Sequence, residues 1–503
     1  MSQGAKQIRM EATPEMFMSS TGFNDHSWRK SEEFDISSNT KRRTTGMKTL
    51  PRIAAIVLLV ALPSFAFAQA GTSRSDFDGW LKATEHQADL PIGTKITTSN
   101  WQQYKEFMPF AMVVLFEGQY YWKMPPDAEI DVGPSHEEGN LPQNWVEATE
   151  KYGSQTAVEV LPNGHYVLKN YYGGTPFPKP EEPHKGWKIL ANAFWGYTPA
   201  IINQNPQNNN WGTVWAQDRF GNISASSLDY VYRMSDYITD PGFQHTYNYA
   251  PGTWYTEWIM QETPEQARYT AVIDLFFTDQ ESHPFPDVYV FVPALRRSLR
   301  LSAASRCSPT LGFDWTNDDA KFNGFNGSTS IYTADYLGDR RILNLTVWDD
   351  TQGGRFPEGW DMPLAFPKPS WGKWELRHSA IIDTHRIPSE AAGYCYSSRI
   401  MYVERSMWLA DWVEGYDTAH KLWKVFWYGN EIGDVPSLGL KMKWKSIPEA
   451  VAWDIENSHQ TVWSDHGHPD WKHGGMLIDQ NVPKDYMNGV KYGSPAGLMQ
   501  ILR

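Results

Sequence analysis

The stretch Arg399 to Tyr428, RIMYVERSMWLADWVEGYDTAHKLWKVFWY, constrains the fold more than any other part of the chain. Polar residues Glu414 to Thr418 separate two runs rich in aromatic and branched side chains, the composition that a pleated, half-buried surface selects. The pattern predicts two or three long antiparallel strands joined by tight turns. Period two places Trp408, Ala410 and Trp412 on one face, with Leu409, Asp411 and Val413 on the other. Past the turn, Trp423, Val425 and Trp427 alternate with Leu422, Lys424, Phe426 and Tyr428. Both faces are therefore largely apolar. An antiparallel sheet with one wet face alternates cleanly, so this one needs either two covering protein layers or a cavity filled by an apolar molecule. Trp408, Trp412, Trp423 and Trp427 are the candidates to line such a cavity, and period two leaves open which face is inside.

The rest of the chain supplies partners for that sheet. Ser75 to Ala88 has a Ser cap and helical spacing of Phe77, Trp80 and Leu81. Asn100 caps a second expected helix running to Phe116, broken or kinked at Pro109 and ended by Gly118. A hairpin is expected at Thr156–Leu161 and His165–Tyr172 around Pro162-Asn163-Gly164, then a helix at Lys185–Trp195. Strands are expected at 212–220, 226–234, 253–260, 269–277, 288–293, 298–302, 343–348 and 374–383. Ala450 to Trp463 reads as strand or helix. Thr316 to Gly327 reads as a polar, turn-rich connection whose spacing lacks the calcium-loop pattern. Strands at such regular spacing form a large antiparallel sheet or open barrel.

The chain begins with text of another kind. Residues 1–46 are polar, carry the cluster Lys41-Arg42-Arg43 and show no period, the marks of an unstructured leader. From Met47 a positive n-region with Lys48 and Arg52, the apolar run Ile53–Leu62 and an Ala66-x-Ala68 site read as a secretory signal peptide over 47–68. The run is short of the roughly 20 residues a membrane span needs. Met47 is the expected biological start, and 69–503 the expected exported domain. An exported chain with two cysteines, Cys307 and Cys395, reads as carrying one disulfide. The formal charge of the whole chain is −13, more acidic still without the basic leader, which argues against nucleic acid as a partner. Its 24 tryptophans suit interfaces, grooves or cavities as well as cores.

Several long segments together resemble a known family: GTKITTSNWQQYKEFMP (Gly93 to Pro109), EATEKYGSQTAVEVLPNGHYVLKNYYGGTPFP (Glu147 to Pro178), YVFVPALRRSLRLSAA (Tyr289 to Ala304), FNGF (Phe322 to Phe325) and YVERSMWLADWVEGYDTAHKLWKVFW (Tyr402 to Trp427). They resemble a Proteobacterial periplasmic family of unknown function, often labelled outer membrane lipoprotein-sorting protein and grouped with the lipoprotein carriers LolA and LolB. The resemblance implies a mainly β fold with some α: a large curved antiparallel sheet or open half-barrel wrapped over a few helices. It also implies a periplasmic shuttle for a lipid or other hydrophobic cargo. The implied partners are an inner-membrane transporter of the resistance-nodulation-division type and an outer-membrane protein. No catalytic residue or cofactor is carried over, and no enzymatic activity is expected.

Three other readings compete for parts of the sequence. In DHGHPDWKH, Asp465 to His473, the side chains of His466, His468 and His473 with Asp470 are candidate metal ligands for a periplasmic hydrolase, although a polar loop accounts for the same text. Arg296, Arg297 and Arg300 form a basic cluster suited to an anionic group or an acidic partner, against simple pairing with the chain's surplus carboxylates. Surface tryptophans beside Asp and Asn would instead mark a glycan-binding protein, which requires exposed rings.

Overall fold

A computed structural model describes residues 72–502 except 137–140, 205–211, 244–251, 303–305, 320, 322–323, 349–355, 436–439, 445–448 and 465–476, all within the compact unit Phe67–Arg503. The leader, the signal segment and the metal-ligand candidates at Asp465–His473 lie outside the described residues.

Helix α1 (Arg74–Ala83) starts from a capping box in which Ser73 and Asp76 satisfy each other's backbone N–H groups. Two short strands, β1 (Lys95–Thr97) and β2 (Glu129–Asp131), pair with each other around α2 (Phe110–Glu117). Helix α2 begins directly after Pro109 and stops at Gly118, whose φ of 76° is open to glycine. The expected longer helix from Asn100 is replaced over Trp101–Phe107 by two single 3₁₀ turns, because proline at 109 cannot continue a helix that precedes it. Then come α3 (Gln143–Tyr152), the hairpin β3 (Ala157–Val160) and β4 (Tyr166–Lys169), and α4 (Lys185–Phe194).

The large sheet draws on β5 (Ile201–Gln204), β6 (Gly212–Gln217), β7 (Ile223–Met234), β8 (Thr253–Gln261), β9 (Ala271–Phe277), β10 (Asp287–Val292), β11 (Arg297–Arg300) and β12 (Tyr332–Trp348). The small pair β13 (Trp360–Asp361) and β14 (Phe366–Pro367) precedes β15 (Lys373–Arg386), β16 (Ser398–Glu404), β17 (Leu409–Tyr416), β18 (Leu422–Tyr428), β19 (Asn430–Val435) and β20 (Leu440–Trp444). The hairpin β21 (Glu449–Asp454) and β22 (His459–Ser464), with β23 (Leu477–Ile478), completes it. Registered antiparallel pairs run in the order β11-β10-β9-β8-β7-β6-β22-β21-β18-β17-β16-β15-β12. Strand β19 adds to the end of β12 in parallel, and β5 lies beside β6 along the same edge of β7. The fold is thus mainly β, one large antiparallel sheet with a few helices packed on it. The segment 450–463, open between strand and helix from its sequence, is the β21–β22 hairpin.

Two bulges correct the expected faces of the organising stretch. Tyr402 pairs with Trp412, but the next residue, Val403, pairs with Ala410, leaving Asp411 as an extra residue. Gly415 pairs with Lys424 and Tyr416 with Leu422, leaving Trp423 as another. Each extra residue reverses the alternation beyond it. Trp412 and Trp427 therefore share a face with Val425, while Trp408, Ala410 and Trp423 pack on the face of Val413, Phe426 and Tyr428.

Both faces are covered by protein. On one, α1 and α2 with Phe356–Trp371 lie over Tyr402, Trp412, Trp427 and Trp453. Every side chain from Phe110 to Phe116 is buried, as expected for a helix apolar all round. The same face of β7–β10 is covered by the C-terminal segment through Tyr486, Tyr492 and Leu498. The opposite face packs against α4 and the segment 306–331.

Candidate functional site

Segment 306–328 crosses the second face as a strap, and its burial corrects the reading of Thr316–Gly327 as a polar connection. Thr316, Asp318, Asp319, Lys321 and Asn326 are all buried, because their polar groups are satisfied inside the protein rather than by water. Asp318 meets Arg306, Arg386 at 2.9 Å and the hydroxyls of Tyr332 and Tyr394 at 2.8 and 2.9 Å. Burial alone would push its carboxyl up; Arg306, Arg386 and Arg399 hold it well below the usual carboxylate range. Asp319 pairs with Arg399 at 2.6 Å and accepts from Tyr396 and Thr316. The bond Cys307–Cys395, with Cα atoms 5.8 Å apart, ties the start of the strap to the segment before β16.

Beyond the disulfide the strap doubles back between Pro309 and Thr316. Leu311 and Gly312 at its tip both have positive φ, 53° and 86°, which for leucine is a strained conformation. The far side is latched by Asp314: its backbone N–H donates to Thr461 at 3.0 Å, its carboxylate meets His459 Nδ1 at 2.7 Å, and Lys424 donates to its carbonyl at 2.6 Å. The hydrogen bond to Asp314 raises the His459 pKa against the effect of burial.

Between strap and sheet lies a narrow cavity of about 60 Å³ that opens at its mouth to solvent. Leu228, Tyr230, Ile259, Tyr428, Ala450 and Trp463 form its sheet wall, and Leu311, Phe313 and Trp315 its strap wall. The surface it offers is almost wholly apolar. Glu257 and Lys321 also line it. Glu257 accepts from Tyr230 at 3.0 Å and Asn326 at 2.9 Å; Lys321 donates to the Phe194 carbonyl at 3.0 Å and lies over the rings of Tyr255, Phe194 and Trp254. Burial pushes the Glu257 carboxyl up and the Lys321 ammonium down, each opposed by the other's charge. The arrangement can take up an apolar body.

None of the four candidate tryptophans lines this cavity. Trp412 and Trp427 lie under α2, where their indoles donate to the Leu343 carbonyl at 3.2 Å and Asn344 at 2.8 Å and stack beside Trp374 and Trp453. Trp408 is buried at the β16–β17 turn, and Trp423 donates to Asp454 at 3.1 Å. The basic cluster separates: Arg300 pairs with Asp287, while Arg296 and Arg297 stand exposed. The strap residues Leu311, Phe313 and Trp315 were missed from the sequence; the run TLGFDW behind Cys307, apolar side chains around a glycine, is the signal that marks them. The ion pairs that bury the strap leave no such trace, since their partners are up to 80 residues apart.

Among the described residues no group of three or more potential metal ligands occurs, and no helix is long and apolar enough to cross a membrane. No curated protein matches the chain. Among solved structures, it is similar to one from Vibrio parahaemolyticus described as an outer membrane lipoprotein-sorting protein domain, with 11% identity, 60% of this chain and 96% of that chain covered, and a TM-score of 0.40. A DUF1329 family protein from Desulfovibrio piger gives 13% identity, 62% and 100% coverage and a TM-score of 0.40. A LolA superfamily protein from Nitrosomonas europaea gives 12%, 60% and 97%, and 0.34. The family described as Protein of unknown function (DUF1329) matches residues 95–472. With most of its length matched in this way, the chain belongs to the DUF1329 family.

Proposed function

We propose that this protein binds a lipid or similarly apolar molecule beneath the strap and carries it through the periplasm, between a membrane transporter and an outer-membrane protein, without transforming it. The observation that carries the reading is the apolar cavity between Leu311, Phe313 and Trp315 and the sheet. An apolar cargo crossing water needs its surface hidden, and covering roughly 400 Å² at about 25 cal/mol per Å² supplies on the order of 10 kcal/mol. The secretory segment expected at 47–68 supports the location, and the family resemblance supports the transport role. Trp412 and Trp427 join the binding surface under this reading only when α2 moves off the sheet, whereas Trp408 and Trp423 brace the strap side. A glycan surface finds less support, since no tryptophan is among the exposed large hydrophobic side chains of the described residues.

Native mass spectrometry with lipid extraction, on protein purified from its own periplasm, tests the reading. A bound apolar molecule is expected, and Ala450→Leu, which extends a side chain from the sheet wall, should weaken uptake of a fluorescent acyl-chain analogue by about 10-fold or more. Absence of any bound molecule, together with no uptake of the analogue by the parent protein, would remove the carrier reading.

A further inference from the structure

Consecutive antiparallel ladders from β7 to β11 bring three hairpin turns to one end of the sheet: 218–222 between β6 and β7, 262–270 between β8 and β9, and 293–296 between β10 and β11. Neighbouring turns are two strands apart, about 10 Å across the sheet, and the first projects further along the strands, since Leu228 and not Ile223 is level with Gln261 at the end of β8. Turn positions ordinarily go to Gly, Asn, Asp and Pro. Here Phe220 stands 75% exposed at the first turn, with Ile223 at 44% beside it, and Leu295 is 51% exposed at the third.

The same turns carry cations. The Arg219 guanidinium lies 4.8 Å from the Phe220 ring centre, and Arg296 and Arg297 project from the third turn, Arg296 held there in a left-handed conformation with φ 49°. Among the described residues, none of these three guanidinium groups pairs with a carboxylate. Their neighbours differ: Arg268 meets Glu262 and Glu265, and Arg300 meets Asp287. A chain of net charge −13 has no shortage of carboxylates, yet among the described residues Arg219, Arg296 and Arg297 form no ion pair beside exposed apolar side chains, and against Asp218, Glu262, Glu265 and Arg268 on the same turns this end keeps a small positive balance.

We propose that this end of the sheet docks on a bilayer surface bearing anionic phospholipid head groups. Charge complementarity selects the occupant. The acidic body is repelled by an anionic membrane, so the molecule approaches with its unneutralised arginines foremost. Within a Debye length of about 10 Å the guanidinium groups meet lipid phosphates, while Phe220 and Leu295 enter the head-group boundary. Docking of this kind does not depend on what occupies the cavity.

The test is flotation of residues 69–503, the expected exported form, with vesicles of phosphatidylcholine alone or mixed with phosphatidylglycerol. Binding to the anionic vesicles only, weakened by added salt, is expected. The triple change Arg219→Glu, Arg296→Glu and Arg297→Glu should lower the partition coefficient on the order of 100-fold, and Phe220→Ser with Leu295→Ser should lower it further by loss of insertion. All five positions are exposed, so an unchanged melting temperature verifies folding. Equal binding by the triple variant, equal binding to neutral vesicles, or no binding by the parent overturns the proposal. Uptake of the acyl-chain analogue without vesicles is read separately; it is unaffected by the turn variants, so failure of docking and failure of the carrier reading are distinguishable.

Discussion

Glu414 sits where two demands on a carboxylate conflict. Its Oε1 accepts from the backbone N–H of Ala111 at 2.8 Å, in the first turn of α2, and from Tyr402 at 2.7 Å; its Oε2 accepts from Tyr416 at 2.8 Å. These donors and the positive end of the helix favour the anion. Burial opposes them and is the larger effect, pushing the carboxyl up to about 7. A folded-state pKa above the ordinary 4.5 means that the stability linked to this proton is complete below pH 4.5 and is lost as pH rises through about 7. Glu414→Gln keeps an acceptor for Ala111 and cannot ionise. The variant should therefore unfold with a midpoint that changes less between pH 5 and pH 8 than that of the parent, the difference reaching about 3 kcal/mol at the alkaline end. Denaturant titrations at the two pH values check it; parallel pH dependence in both proteins would mean that Glu414 is ionised throughout.

At the scale of elements, the strap owes its position to two fastenings of different kinds. At one end are the disulfide and the Arg306, Arg386 and Arg399 pairs; at the other, the contacts of Asp314 with His459, Thr461 and Lys424. Replacing both Cys307 and Cys395 by Ser removes a cross-link across 88 residues, worth about 4 to 5 kcal/mol in the chain-entropy model. The denaturation midpoint should fall accordingly, and the acyl-chain analogue should leave the cavity faster, as stopped-flow fluorescence would show; an unchanged off-rate would mean that the ion pairs alone hold the strap. Elements of this molecule differ in how plainly the sequence announces them. Helix α2 is legible from Pro109, Gly118 and the apolar run between them, and β16 to β18 from their aromatic alternation. The two bulges are not legible, because an extra residue in a ladder is set by the partner strand and leaves both runs looking regular. A reading by period two consequently grouped four tryptophans that the fold divides between two faces. The cavity was hidden for a related reason: the polar stretch Thr316–Gly327 that follows its strap wall is buried by ion pairs whose partners, Arg386 and Arg399, are distant in sequence.

Among the described residues one large sheet is covered on both faces, and this layering leaves carboxylates inside with few charges to meet them. Asp274, buried in β9, has its carboxyl pushed up to about 8, first by burial and then by Glu257. Asp240 and Asp479 face each other where the C-terminal segment joins β5; burial raises both, so the pair titrates as a unit above the ordinary range. With Glu414 these groups share one sign: each is bound more tightly by its proton in the folded state, so each contributes stability on the acid side that disappears as pH rises toward 8. His459 and His385, both raised chiefly by hydrogen bonds to Asp314 and Asp383, lose their contribution in the same direction as pH passes their folded pKa. Two groups act in the opposite direction. Asp318, held low by its arginines, matters only below the ordinary carboxylate range, and Lys321, pushed down by burial, regains its contribution only on the alkaline side of neutrality. Between pH 5 and pH 8 the raised carboxylates and histidines outweigh the part that Lys321 regains above pH 7, and the protein should be more stable at pH 5 by a few kcal/mol. Calorimetric scans across that range should show the melting temperature falling steadily with rising pH, and a melting temperature that rises instead would require these carboxylates to be ionised and hydrated in the folded state.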